Sequence, residues 1–349
     1  ALQVNFDFDK IGASYNAYTS EENTVFYAAI LPEYLPDAVD ILADILRPSL
    51  REDDFTMEKK VIIEEIGMYD DQPMWCAYDH AKKAFFAEHP LGNSVLGSVD
   101  SITALTRDQI QPYYDRRYVA SNITVALAGN VDWNQAVAWL EGKCGHWPTG
   151  EAPRGNLIPV RPRKHSEVMT REKLNQEQVF LLSPAPAADS PHRYAADTLA
   201  MILGDDSGSR LYWAIVDPGL AESADMSFHD YDGAGAYYLS FSCEPENTDE
   251  VLGLIHEILR EVQREGVSEE ELAVAKSKIL SRVVRGSERP MGRMQALGMG
   301  WTYFKRYRSV DEELANFDAV TTRDVRDVLD LHPFDAPTVL ALGPLAKLQ

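Results

Sequence analysis

The stretch Pro32–Ile66, "PEYLPDAVDILADILRPSLREDDFTMEKKVIIEEI", returns in altered form at Pro245–Leu280 as "PENTDEVLGLIHEILREVQREGVSEEELAVAKSKIL". Both copies open with Pro-Glu and continue as an apolar stripe. In the first the stripe is Ala38, Ile41, Leu42, Ile45 and Leu46; in the second it is Val251, Leu254, Ile255, Ile258 and Leu259. Each follows the i, i+3, i+4, i+7, i+8 spacing of one buried helix face.

The echo continues downstream. "SVDSITALTRDQIQPYYDRRY" from Ser98 is answered by "SVDEELANFDAVTTRDVRDVLDLH" from Ser309. The apolar run "NITVALAGN", ending just past Gly129, is answered by "APTVLALGP", ending just past Gly343. The offset is roughly 213 residues in each case, a long-period internal repeat. Chance similarity does not hold register over three separate elements, so the chain reads as a duplicated domain. Residues 1–147 form the first copy and 168–349 the second. The Pro- and Gly-rich segment 148–167 between them has the composition of a linker.

Apolar runs at Thr24–Ile30, Ile123–Ala128, Gln178–Leu182 and Ala236–Cys243 read as strands alternating with helices. Thr106-x-x-Gln109 and Ser268-x-x-Glu271 are capping-box starts for two of the helices. The expected fold class is α+β: two homologous domains, each a mixed, mainly antiparallel sheet with helices packed on one side.

Composition narrows the function. The net charge of −22 over 349 residues argues against a nucleic-acid or anionic-membrane surface and is compatible with basic peptides. No run approaches the ~18 apolar residues of a membrane span. Three dispersed cysteines, Cys76, Cys144 and Cys243, make neither a disulfide framework nor a C-x-x-C zinc ribbon. No G-x-S-x-G elbow or cysteine-hydrolase signature is present, so serine and cysteine hydrolases find no support. The chain opens at Ala1 rather than Met and reads as continuing from something upstream, which leaves its compartment open.

The chemistry-bearing candidate is "KKVIIEEIGMYDD", Lys59–Asp71. Residues 54 to about 71 read as a helix whose first turn carries Asp53 and Asp54, acids suited to its positive end. Glu58 and Glu65 are two turns apart and share a face, whereas Glu64 is rotated by about 100° from Glu65. Helix position alone favours a charged outer face of Glu58, Lys59, Lys60, Glu64 and Asp70 with i,i+4 pairs. The alternative is that Glu65 reaches a metal, which a carboxylate can ligate within a set of three protein donors. None of the eight histidines forms H-E-x-x-H or H-x-x-E-H with another. With the copies in continuous register, Glu64-Glu65 faces the neighbourhood of Lys278-Ile279-Leu280. The second copy has kept the helix and lost the acids, which points to chemistry in the first.

The segments "FDKIGASYNAYTSEENTVFYAAILPEYLPDAVDILADIL", "MEKKVIIEEIGMYDDQP" and "EHPLGNSVLGSVDSITALTRDQIQPYYDRRYVASNITVALAGNVD" resemble the N-terminal domain of the pitrilysin/insulinase metallopeptidases. That family includes the two-subunit mitochondrial processing peptidases. "PAPAADSPHRYAADTLAMILGDDSGSRLYWAIVDPGLAES" resembles the start of the family's second domain. The resemblance implies a zinc-dependent endopeptidase that hydrolyses extended peptides or unfolded polypeptides between two domains. It places a zinc-ligating glutamate at Glu65, a supporting acid at Glu58, and the substrate-binding edge strand at Asn16 and Ala17. It also implies an H-x-x-E-H helix, carrying two zinc ligands and the general base, ahead of "FDFDKIGA". This sequence does not contain that helix, so the zinc site is expected to be incomplete and the chain as given inactive. A segment lacking this piece is also expected to pack poorly by itself. A second departure is that Val216 and Glu222 stand where relatives carry an arginine and a tyrosine, with Arg210 and Tyr212 as poor substitutes. Two readings stay open: a zinc-bearing subunit whose homologous partner supplies the Arg/Tyr pair, or a non-catalytic subunit of the same fold.

Overall fold

A computed structural model describes residues 2–152, 160 and 164–348. In the first copy the chain forms α1 (Leu2–Lys10), β1 (Ser14–Thr19), β2 (Thr24–Ala29), α2 (Leu35–Ile45) and α3 (Glu52–Asp70). It continues through α4 (Pro73–Phe86), α5 (Val99–Ala104), α6 (Arg107–Arg117) and α7 (Trp133–Cys144). The second copy begins with β3 (His165–Thr170), β4 (Glu177–Pro184), α8 (Arg193–Gly204), β5 (Ser223–Tyr231) and β6 (Ala234–Cys243). It ends with α9 (Thr248–Glu265), α10 (Glu269–Ser287), α11 (Pro290–Phe304), α12 (Val310–Asp318), α13 (Thr322–Leu331) and β7 (Thr338–Gly343). The α+β fold class read from the sequence is the observed one. Part of the expected linker, residues 153–159 and 161–163, lies outside the described residues.

Two compact units result. One draws on residues within 1–66, 95–156 and 286–307, the other on residues within 67–94, 157–285 and 308–349. Each copy therefore lends one helix to the other's unit. These are α4 and α11, which begin with the same Pro-Met pair, Pro73-Met74 and Pro290-Met291. The compact units are interleaved along the chain, whereas the boundary between 1–147 and 168–349 divides it by repeat and stands as a proposal.

The second unit is organised by a five-stranded sheet of order β3-β7-β4-β6-β5, antiparallel except for the β3–β7 pair. Its central strands bury both faces, as their near-continuous apolar sequences require. Val179, Leu181, Tyr237, Leu239, Phe241 and Ala341 face a core closed by Leu199 of α8, Ile255 of α9, Leu272 of α10 and Val328 of α13. Phe180, Leu182, Tyr238, Leu340 and Leu342 point the other way, against Ala77, Ala81 and Phe85 of α4. Helices are thus gathered on one face, with the exchanged α4 on the other. The capping boxes at Thr106/Gln109 and Ser268/Glu271 both form.

The first unit has only the β1–β2 hairpin as described sheet, with Ser14 opposite Ala29 and Thr19 opposite Thr24. Its small core joins Phe8, Ile11 and Ala38 to Ile41, Leu42 and Ile45, with Phe8 stacked on Tyr15 at 4.1 Å. Here α11 reaches the hairpin turn. The Tyr303 hydroxyl donates to Glu22 (2.6 Å) and accepts from the Asn23 amide (3.0 Å).

One expected strand is corrected: Ile123–Ala128 pairs with no strand among the described residues, and Val125 is 53% exposed. Its counterpart β7 is held between β3 and β4, but no described strand of the first unit stands where those two would. A strand exists only by hydrogen bonding to neighbours, so the apolar pattern alone was insufficient.

At the N-terminal end of α8 lies a polar network. Arg193 pairs with Asp230 at 3.2 Å and Glu313 at 3.6 Å, and the Tyr194 hydroxyl donates to Glu313 while accepting from Arg308 and Asn316. One turn on, the partly buried Asp197 has its carboxyl pushed up to about 6 by burial, with Arg193 pulling the other way.

Two stability predictions follow from these contacts. A β-carbon at Gly204, the last residue of α8, would overlap the backbone and Cβ of Met226 on β5. Gly204→Ala should therefore destabilise the protein by about 1–3 kcal/mol despite alanine's better helix propensity, read as a lower denaturant midpoint. Asp197 binds its proton more tightly folded than unfolded. Its stabilising contribution is complete below the ordinary carboxylate range and is lost as pH rises through about 6. Asp197→Asn should raise stability at pH 7.5 by about 1–2 kcal/mol, have little effect near pH 4, and flatten the profile between.

Candidate functional site

The acidic helix forms as its sequence dictates. α3 spans Glu52–Asp70 with Glu52, Asp53 and Asp54 in its first turn, where their charge favours the exposed N–H groups. Arg51 closes on Asp54 at 2.7 Å. Further along, the Lys59 ammonium donates to the carbonyls of Thr103 (2.7 Å) and Leu105 (2.8 Å), tying α3 to the C-terminal end of α5. Lys59 is therefore committed to backbone oxygens. Among the described residues no ion pair joins Lys60 to Glu64, so the i,i+4 pairing of a charged outer face does not form.

The carboxylates do not divide by helix face alone, since Glu58 shares a face with Glu65 and differs from it in exposure. Glu65 is half-buried beside Ile66, which is the buried residue of this helix, whereas Glu58 and Glu64 are exposed. Among the described residues no hydrogen bond or ion pair engages Glu58 or Glu65. Nor do any three His, Cys, Asp or Glu side chains group closely enough to hold a metal ion. Among the described residues Glu65 stands alone as a candidate donor, where three protein ligands are the rule for zinc.

Asn16 and Ala17 lie on β1, opposite Tyr27 and Phe26 of β2, and both are exposed. The Asn16 side-chain oxygen accepts the Ala17 N–H at 2.8 Å. That N–H is thus occupied by its own neighbour, and a peptide strand adding along β1 has to displace the Asn16 amide to reach it.

The second copy shows what the same helix does without the acids. Aligned end to end as 19-residue helices, α3 and α10 place Glu65 opposite Arg282. This is one turn beyond the Lys278 neighbourhood given by continuous register, because α9 is longer than α2 (18 residues against 11) while the connection after it is shorter (266–268 against 46–51). Both registers lead to the same cluster. Lys278 (2.7 Å) and Arg282 each bond the buried Asp205 just past α8, and Lys278 also donates to the Ser207 carbonyl. Burial works to raise the Asp205 carboxyl, but the hydrogen bonds from Lys278 and Arg282 prevail and hold it below its ordinary range. A filled cation–carboxylate cluster occupies this part of the second unit.

Around the Arg/Tyr positions, Val216 packs against the main core and the exposed Glu222 accepts from Gln176 (2.8 Å). Arg210 is engaged bidentately by Glu271 (2.7 and 3.0 Å) and donates to the Gly266 carbonyl. Its remaining nitrogen, Nη1, has no partner among the described residues but is buried, so it is not presented at the surface to a substrate carbonyl. Sequence reading missed one further feature, the exposed Met68, Tyr69, Met74 and Trp75 at the α3–α4 junction. Its signal was the density of large apolar residues beside Asp70-Asp71.

Comparison with known proteins agrees with this architecture. Residues 2–99 match the family model described as insulinase (peptidase family M16), and residues 104–279 match that of the peptidase M16 inactive domain. An uncharacterised zinc protease of Streptomyces coelicolor is 32% identical across all of this chain and 78% of its own length. An uncharacterised zinc protease of Mycobacterium bovis is also 32% identical, over 94% of this chain and 76% of its own length. Among solved structures, a protease from Helicobacter pylori superposes with a TM-score of 0.90 at 18% identity, covering 98% of this chain and 85% of that one. A peptidase M16 inactive domain from Pseudomonas fluorescens gives 0.90 at 19% identity over 99% and 84%. Fold, helix order and relatives converge: the chain belongs to the insulinase family of peptidases, family M16.

Proposed function

We propose that this chain is the portion of a zinc-dependent endopeptidase that contributes one carboxylate donor, Glu65, with Glu58 as a supporting acid one face-turn earlier. The strand edge at Asn16 and Ala17 receives an extended peptide by backbone pairing. The observation that carries this reading is the asymmetry between the copies: a half-buried, unengaged Glu65 in one against a cation engaged with Asp205 in the other. The relatives named zinc proteases support it. In this reading the two histidine donors and the general base come from outside these 349 residues, and the chain alone neither holds zinc in stoichiometric amount nor hydrolyses peptides.

The second reading is a non-catalytic partner subunit. Val216 and Glu222 in place of the Arg/Tyr pair favour it, as does the match to an M16 inactive-domain model. The retained acidic face on α3 weighs against it, since packing needs the helix and not the carboxylates.

In the complete gene product, Glu65→Gln should reduce zinc content, measured by mass spectrometry, and peptide hydrolysis by at least about tenfold, while Glu64→Gln changes neither. Equal losses in the two variants would remove Glu65 from its role, and a wild-type product without zinc or activity would establish the partner-subunit reading. For the strand edge, Ala17→Pro should weaken peptide binding and leave zinc content unchanged, because proline deletes the N–H that an added strand needs. Asn16→Ala, which uncovers that N–H, should bind at least as well as wild type.

A further inference from the structure

Four large apolar side chains stand exposed within eight residues of the second unit. Met68, Tyr69, Met74 and Trp75 are between 38% and 51% exposed and flank the turn from α3 into α4. Singly exposed apolar residues are ordinary, but a contiguous group of Met, Tyr and Trp is the composition of a recognition surface.

The rings are held in place from below. Trp75 stands edge-on to Tyr69 on one side (centroids 5.8 Å) and to Tyr78 on the other (6.1 Å). Tyr78 is stacked on Tyr238 of β6 (5.4 Å) and edge-on to Phe180 of β4 (6.0 Å). The exposed rings are therefore the outer end of an aromatic column rooted in the central sheet. The turn is fixed as well, since Arg171 donates to the Asp70 carbonyl at 2.6 Å and contacts the Cys76 sulfur at 3.1 Å. A ligand meets a surface already ordered, which lowers the entropic cost of binding. The exposed thioethers of Met68 and Met74, next to the rings in sequence, can adapt to side chains of different shape.

The rim supplies the sign of the ligand. Arg171 bonds the backbone oxygen of Asp70, and the carboxylates of Asp70 and Asp71 are exposed beside Tyr69. Together with a net charge of −22, they select against an acidic partner. They also select against a second copy of this chain, which would bring the same acidic rim and the same net charge. A cationic side chain gains both from the carboxylates and from contact with the exposed aromatic rings.

We propose that this platform docks an extended peptide segment in which basic residues alternate with aromatic or aliphatic ones. The proposal rests on the reading that the chain handles peptides, and it adds a recognition surface separate from the strand edge at Asn16–Ala17.

The test is fluorescence anisotropy of a short labelled peptide of alternating lysine and phenylalanine, titrated with the purified complete gene product at low and at moderate salt. Controls alternate glutamate with phenylalanine, and lysine with serine. The lysine–phenylalanine peptide should bind about tenfold more tightly than either control. Trp75→Ala should weaken it about tenfold. The double variant Asp70→Asn/Asp71→Asn, which removes charge without altering packing, should weaken it severalfold and reduce the salt dependence. Tyr69→Ser serves as the second platform variant if Trp75→Ala alters the circular dichroism spectrum. Equal binding of the two phenylalanine peptides, or wild-type affinity in the folded variants, overturns the proposal. So does a concentration-dependent dimer that Trp75→Ala dissociates, which would assign the surface to a second copy. The titration reads neither zinc content nor hydrolysis, so failure of the peptidase reading and failure of the platform are read in different experiments.

Discussion

A fully buried strand must find a hydrogen-bonding neighbour on each edge, and much of this molecule follows from how that demand is met. All six residues of β7 are buried, and it lies between β3 and β4. With its backbone groups paired in the sheet, its side chains alternate between two cores, Val339 and Ala341 to one face and Leu340 and Leu342 to the other. In the first unit the equivalent run, residues 123–128, has the same apolar character but no described strand beside it, and it stays half-exposed. The two units differ in the supply of partner strands rather than in the pattern of the strand itself.

The same comparison illuminates the charged helices. α3 and α10 have equal length and similarly acidic first turns, yet one presents an unengaged carboxylate and the other a cation bound to Asp205. A buried carboxylate flanked by an ammonium and a guanidinium is a closed electrostatic unit. It satisfies Asp205, and the positive charge already present would repel a metal ion. Glu65 has no such closure. Half-burial beside Ile66 without a partner is a position that packing alone gives no reason to favour for a carboxylate.

Local chemistry was legible in the sequence to the extent that it is local. The capping boxes, the acidic first turn of α3, the apolar stripes of α2 and α9, and the strands β2, β4 and β6 all rest on interactions within a few residues or on a strong period. What escaped is non-local. Whether 123–128 becomes a strand depends on chain far from it. Which sheet α4 covers cannot be told from Ala77, Ala81 and Phe85, since an apolar stripe does not name its partner. The one-turn shift between Lys278 and Arg282 is the net of a longer α9 and a shorter connection into α10, and continuous register could not see it. That Trp75 and Tyr69 stand outside the core was not legible either, because aromatic residues at helical spacing usually pack inward.

The exchange of α4 and α11 binds the two copies into a common history. After most duplications each copy is free to drift, because its core is its own. Here the residues of α4 that meet Phe180, Leu182, Leu340 and Leu342 were inherited with one copy and are judged by the sheet of the other. A substitution in either half is therefore screened against a surface encoded more than a hundred residues away. Neither half could be traded for a relative's without bringing a mismatched helix into the remaining core. The duplicated halves can specialise in chemistry, one keeping an acid where the other holds a cation, but in packing they must evolve as one.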